Sequence, residues 1–278
     1  MLTITVLIEN TTVESRFAIE HGLSFFIEHD GLSYIFDTGQ SGLFLQNAEA
    51  LALDPGCAAA LILSHAHYDH CGGVRPLFSN TAFSGKVYAG PGFWDPKWAL
   101  KEGTTYSNGI DFDQHWLEKQ YSTKDTAHLL MPAEPCTEIG PHCFLVHSFT
   151  RSSGFETYNP RFLVNRNGTQ PIDDFRDEMA MVISLDQGLI VLLACAHPGI
   201  VNMLASIKNH FDKPLLAVLG GSHLKEANSE RLKLSIDYLK KTACRQISFG
   251  HCTGEKALDL LKNLPVYTPL RAGTVYKY

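Results

Sequence analysis

Several features that would direct a reading are missing from this chain. Basic residues do not predominate: 23 Lys and Arg stand against 29 Asp and Glu, for a formal net charge of −6. Without a long basic run the electrostatic attraction that nucleic-acid binding relies on is absent, and no nucleic-acid partner is expected. No apolar stretch approaches the ~20 residues that cross a bilayer. The longest runs only from Gly188 to Ala196, so no membrane partner is expected either. The opening Met1-Leu-Thr-Ile-Thr-Val-Leu-Ile8 is apolar but has no basic flank and no small-residue cleavage site. It reads as a first strand and not as an export signal. The seven cysteines are odd in number and lack paired Cys-x-x-Cys spacing, which fits reduced thiols in a cytoplasm better than a disulfide framework.

What is present suits a large buried core. Hydrophobic residues make up 45% and charged residues 19% of 278, a composition that excludes disorder. Length favours one layered domain over residues 1–278. Short apolar stretches bounded by Gly, Asp or Ser predict strands at Ile4–Ile8, Ser24–Ile27, Tyr34–Phe36, Ala60–Leu63, Lys86–Ala89, Cys143–Val146, Met179–Ile183, Leu189–Leu193, Leu215–Leu219 and Gln246–Phe249. Helical spacing joins Leu45, Ala48 and Leu51; Ile200, Leu204, Ile207 and Phe211; Leu232, Ile236 and Leu239; and Ala257, Leu261 and Leu264. The alternation of these elements predicts an α/β fold. Residues 93–135 have weak periodicity and read as an irregular arm, and Ser152 to Asp174 is similar. Long irregular stretches are commonly functional, and either could cover a site.

Four predicted strands run directly into a histidine. Ala60–Leu63 leads to His65, Leu189–Leu193 to Cys195 and His197, Leu215–Leu219 to His223, and Gln246–Phe249 to His251. Strand ends of α/β sheets are where ligand sites gather, and imidazole is the commonest protein ligand for zinc. The segment His65-Ala-His67-Tyr-Asp69-His70 carries the strongest signal. Alternation places His65 and His67 on one side, within reach of one ion. Asp69 and His70 follow the turn and can address a second, with Cys71-Gly-Gly73 supplying a flexible backbone. Two ions about 3.5–4 Å apart can share one hydroxide and polarise an ester or phosphoryl oxygen.

His65-x-His67-x-Asp69-His70 followed by Gly-Gly, together with Phe36-Asp37-Thr-Gly39 and the late His251, resembles the metallo-β-lactamase superfamily. The resemblance implies a four-layer αβ/βα sandwich. A finer set is similar to dihydropterin–ribofuranosylaminobenzene-phosphate synthase-like proteins: Glu20-His21-Gly22, Asp37-Thr-Gly-Gln40, Cys195-Ala-His197-Pro-Gly199, Gly220-Gly-Ser-His223 and His251-Cys-Thr-Gly254. The superfamily usually places a further histidine, and then a metal-bridging aspartate, between the first motif and the last ligand. Here Arg176-Asp177-Glu178-Met179-Ala180 stands in the histidine's segment, and Cys195 falls near the aspartate's position.

The metal ligands expected from the motif and the resemblance are His65, His67, Asp69, His70, His197 and His251, and Asp69 could also handle a proton. His223 is assigned near the site, on metal, on substrate or at a helix start. Asp37 is expected behind a ligand histidine. Cys195 is either a thiolate ligand or a small buried residue, and Asp177 and Glu178 are either ligands or orienting carboxylates. Arg151, in an Arg…Phe-Glu156 pattern matching the subgroup, could hold a phosphate, and His21 could contact substrate or serve structurally. His29, His115, His128 and His210 lack such a setting.

Two divalent ions are expected, zinc first, with manganese or iron as alternatives. The leading expectation is a hydrolase of a small phosphorylated or ester-like molecule bound beneath the 93–135 arm. The alternatives are a transferase joining a dihydropterin pyrophosphate to a ribofuranosylaminobenzene phosphate, and a non-catalytic di-iron redox or metal-binding protein. Metal identity and oligomeric state stay open at this point.

Overall fold

The computed structural model describes residues 1–121 and 129–278. The chain forms two compact units, neither of them continuous in sequence. The first takes Met1–Pro132, Tyr158–Asp177 and Arg271–Tyr278, and the second takes Ala133–Thr157 and Glu178–Leu270.

The first unit is built on a seven-stranded mixed sheet, ordered Val275–Lys277, Leu2–Ile8, Ser24–His29, Leu32–Phe36, Ala60–Leu63, Lys86–Ala89 and Leu129–Leu130. The early strands pair antiparallel, and pairing becomes parallel from Leu32–Phe36 onward. Asp30 and Gly31, both at positive φ, make the two-residue turn whose twist suits a hairpin. All four residues of Ala60–Leu63 are buried, as expected of a parallel strand covered on both faces. Phe44 and Ala48 of the helix Leu43–Ala50 pack on Leu7, Ile8 and Ile35. The apolar spacing had pointed to Leu45, Ala48 and Leu51 as the inner face. The buried set is instead Phe44, Asn47 and Ala48. The shift follows from Asn47, whose amide donates to the carbonyls of Leu7 and Ala18 and accepts from the Ala18 amide. A buried polar side chain satisfied in this way is invisible to a hydrophobic count.

The 93–135 arm is more regular than its composition suggested. Lys97–Lys101 and Thr104–Ser107 form a hairpin closed by Glu102-Gly103, both at positive φ, and Phe162–Val164 adds a third strand. The helix Gln114–Gln120 follows, with Asp113 accepting from the Trp116 amide at its start. Periodicity was weak because Thr104–Ser107 is exposed on both faces while the inward residue at the start of its partner strand is a lysine.

The second unit carries a six-stranded sheet, ordered Gln246–Phe249, Leu215–Gly220, Gly188–Leu192, Ala180–Leu185, Cys143–Val146 and Cys136–Gly140. Its first three strands are parallel and the rest antiparallel. The helices Ile200–His210, Ser229–Lys241 and Glu255–Leu261 contribute Leu204, Ile207, Ile236, Leu239 and Leu261 to its core, on the faces their spacing predicts. Asn228 caps the second of these by accepting from the Arg231 amide. Among the described residues no helix is long and apolar enough to cross a membrane, and no disulfide joins the cysteines.

Candidate metal centre

In the first unit the buried strand Ala60–Leu63 ends on Ser64 and delivers His65 into a turn. Asp37, fully buried and held at φ +59, grips this segment at two points. Its Oδ1 accepts from the Ser64 amide at 2.8 Å. Its Oδ2 accepts from the Ser64 hydroxyl at 2.7 Å and lies 2.7 Å from Nδ1 of His70. With Nδ1 engaged, Nε2 is the His70 nitrogen left to turn toward Asp69, whose Oδ2 lies 3.9 Å away. Burial pushes the His70 imidazolium down, but the carboxylates of Asp37 and Asp69 more than offset this and raise its pKa above the ordinary histidine value.

Nε2 of His65 stands 3.1 Å from Nδ1 of His67, and the rings of His65 and His70 lie tilted at 50° with centroids 4.3 Å apart. Asn108 meets the same turn twice, accepting from the Tyr68 amide at 3.1 Å and placing its side-chain amide 3.0 Å from Nε2 of His67. Beside this, Nε2 of the half-exposed His21 is 3.2 Å from Oδ2 of Asp69. The donor set fits a divalent ion. Two nitrogens at about 2.0–2.1 Å from a tetrahedral ion stand about 3.3 Å apart, close to the observed separation of His65 and His67.

A buried lysine stands behind this turn. Lys97, 1% exposed, donates to Oδ1 of Asp177 at 2.8 Å and to Oδ2 of Asp173 at 2.9 Å. Burial lowers its pKa, but the two carboxylates outweigh that and raise it, so Lys97 is a cation held between two anions. The other oxygen of Asp177 accepts from the Ala66 amide at 2.9 Å, midway between His65 and His67. Both Asp177 oxygens are thus occupied in bracing the turn, which favours the orienting role over ligation.

The second unit repeats the device with different residues. Glu178 accepts from the Ala196 amide at 2.7 Å and from the His197 amide at 3.3 Å, bracing Cys195-Ala-His197. The rings of His197 and His223 lie 4.2 Å apart between centroids. Ala196, His223 and His251 all take left-handed backbone, at φ +58, +45 and +48. Three such non-glycine residues in one cluster are costly and concentrate at functional sites. Cys252, next to His251, directs its thiol at the Cys195 carbonyl, 3.6 Å away. Burial pushes that thiol up, but the Cys195 side chain, His251 and the His223 amide pull it below the ordinary cysteine value.

The remaining candidates are more peripheral. Glu156 accepts from the amides of Val201 and Asn202 at 3.1 and 2.8 Å, capping the helix Ile200–His210 from a distant segment. Its pKa is raised, with burial the dominant cause, against the lowering effect of those amides, Arg231 and Arg151. Gly199 allows this approach, because a Cβ there would fall 2.2 Å from Oε2 of Glu156. Arg151 therefore lies near enough to influence Glu156. Glu20 accepts from the amides of Gln40 and Ser41 and from the Ser41 hydroxyl, a structural part. His29 is buried and His115 and His210 are exposed, while His128 lies outside the described residues. Sequence reasoning missed Lys97, Asp173, Asn108 and Ser64, and only a pairing with Asp177 could have drawn attention to the lysine.

The profile of the metallo-β-lactamase superfamily matches residues 19–149. The chain is 30% identical over 277 residues to the 7,8-dihydropterin-6-methyl-4-(β-D-ribofuranosyl)-aminobenzene-5'-phosphate synthase of Methanocaldococcus jannaschii, an alignment that covers 95% of this chain and 92% of that one. Among solved structures it is similar to Tm1679, described as a metal-dependent hydrolase of the β-lactamase superfamily, with 28% identity, a TM-score of 0.84 and coverage of 100% and 99%. Zinc-bound PqqB from Methylobacterium extorquens shares the fold, with a TM-score of 0.57, 11% identity and coverage of 99% and 100%. With its mixed α/β sheets, the chain belongs to the metallo-β-lactamase superfamily and to the subgroup that includes this synthase.

Proposed function

We propose that this protein is a metal-dependent hydrolase of a small phosphorylated or ester-like substrate, with residues 1–278 acting as one domain. His65, His67, Asp69 and His70 of the first unit serve as metal ligands, and His197 and His251 of the second serve likewise. The observation that carries the reading is the pair of ring nitrogens of His65 and His67 at 3.1 Å, in a turn clamped by Asp37 and Asp177. Bound divalent ions, zinc before manganese or iron, would supply an acidified water and polarise the oxygen that gains charge.

The protein's own groups do the rest. Asp37 fixes the His70 tautomer by occupying Nδ1. Asp69 is oriented by His21 and can hold a proton in transit. His223, its ring tilted against that of His197, would donate to a departing oxygen. Arg151 offers paired donors to a phosphate. The first unit also contains a cavity of about 390 Å³ whose lining includes Ala66, Phe93, Trp94, Phe112 and His115, within the range of small-molecule pockets. It lies within the arm and reaches Ala66 of the His65–His67 turn. The test is metal analysis coupled to a panel of phosphomonoesters, phosphodiesters, thioesters and lactones. Stoichiometric metal and turnover of one class are expected, and the reading fails if the protein holds no metal and none restores activity.

A transferase is the second reading, favoured by 30% identity to the Methanocaldococcus jannaschii synthase. The same groups would then stabilise a departing pyrophosphate while the ribofuranosylaminobenzene phosphate attacks. Mass spectrometry of a reaction holding both substrates decides it: the joined product supports transfer, and hydrolysis alone counts against it.

A further inference from the structure

Sulfur is missing from the ligand set proposed above, yet the second unit concentrates it. Cys195, His251 and Cys252 are all buried, and one ligand atom from each falls within 4.8 Å of the others. Buried cysteine is often only a small apolar residue, and Cys244 of the same unit fits that description, its thiol directed at the carbonyls of Leu216 and Gln246. The Cys252 thiol also points at a carbonyl, that of Cys195, but Cys195 and Cys252 converge with a histidine and Cys244 does not.

Three devices converge on them, one side-chain brace and two features of the backbone. Glu178 pins the turn that carries Cys195 through the amides of Ala196 and His197. His251 is turned by left-handed backbone at φ +48. The sulfur of Cys252 rests against Gly221, where a Cβ would stand 2.6 Å from Sγ, so the glycine vacates the space that the sulfur fills. Together they fix where the donor atoms of Cys195, His251 and Cys252 stand.

We propose that Cys195, Cys252 and His251 form a two-sulfur, one-nitrogen site for a thiophilic divalent cation, zinc or ferrous iron. Two thiolates and an imidazole match the preference of zinc for tetrahedral sulfur and nitrogen donors. The same softness selects against magnesium and manganese, which prefer oxygen. Each thiol gives its proton to solvent as its sulfur pair is donated, so loading releases protons. The site shares His251 with the ligand set above and rests on that reading for this residue alone.

Cobalt loading of the reduced, full-length protein tests the proposal. A near-ultraviolet sulfur-to-cobalt charge-transfer band is expected. It should lose about half its intensity in Cys195→Ser and in Cys252→Ser, one sulfur of two in each, and none in Cys57→Ser, an exposed cysteine of the first unit. X-ray absorption on zinc-loaded wild type needs no variant and so stands even where a serine variant fails to fold. It should show a sulfur shell at about 2.3 Å beside nitrogen at about 2.0–2.1 Å. Absence of the band together with a nitrogen and oxygen shell alone overturns the proposal, as does a band that survives both serine substitutions. Either result leaves metal-dependent turnover untouched. Failure of the hydrolase reading would instead appear as sulfur ligation without metal-dependent turnover.

Discussion

The turn His65-Ala66-His67 in the first unit and the turn Cys195-Ala196-His197 in the second are built on one plan and filled with different chemistry. Each has an alanine between two metal-binding residue types, and a buried carboxylate grips each alanine amide, Asp177 for Ala66 and Glu178 for Ala196. The first turn presents nitrogen and is further fixed by Asp37, Ser64 and Asn108. The second brings sulfur and rests on left-handed backbone at Ala196, with His223 and His251 placed the same way. The first cluster is held mainly by side-chain hydrogen bonds and the second mainly by backbone conformation. Ligand geometry can therefore be secured by either route, and the two routes differ in what a substitution destroys.

The largest expected effect is at the ligands. His67→Ala should lower turnover about 10²–10³-fold, on the scale of losing a transition-state contact, and should reduce metal stoichiometry. His197→Ala offers the parallel test on the second turn. If His67→Ala retains both metal and activity, the central assignment fails. Lys97→Met comes next, since it leaves Asp173 and Asp177 buried without their cation. A loss of about 3–5 kcal/mol in denaturant-measured stability is expected, and a loss below about 1 kcal/mol would show that the pair is more hydrated than its burial implies.

Asp177→Asn and Glu178→Gln compare the two clamps directly. Each should weaken metal affinity about 10–100-fold, read by competition with a chelator. Equal losses with preserved folding would support the shared plan, and a neutral Glu178→Gln would break it. The smallest effect concerns pH. Burial raises the Glu156 pKa, so the folded state holds that proton more tightly than the unfolded chain. The resulting stability is complete below about pH 4.3, the ordinary glutamate value, and is lost as pH rises through the higher folded value. Glu156→Gln should flatten that slope in unfolding measured at a series of pH values. An unchanged slope would assign the dependence to other groups.

Much of the frame was legible because burial enforces period. Ala60–Leu63, Lys86–Ala89, Cys143–Val146 and Gln246–Phe249 are strands over the residues their apolar runs predict, and the first metal motif is short enough to read in one glance. Polar burial hid the rest. Lys97 begins a strand of what reads as an irregular arm, Asn47 moves a helix face by its hydrogen bonds, and Cys252 seats its sulfur against the distant Gly221. In each case the decisive contact is far away in sequence, and local patterning carries no trace of a distant partner.

Lys97 also sets a limit on how this protein can diverge. The arm that begins at residue 93 looks like an appendage that could be exchanged to change specificity. Its hairpin tip at Glu102-Gly103 is exposed, so the turn can be exchanged as a unit even though its left-handed backbone favours glycine at 103. The root cannot, because the lysine at the start of Lys97–Lys101 is tied through Asp177 to the amide between His65 and His67. New loops can be grafted beyond that lysine, whereas a graft that replaces it would leave Asp173 and Asp177 without their cation and loosen the brace on the Ala66 amide.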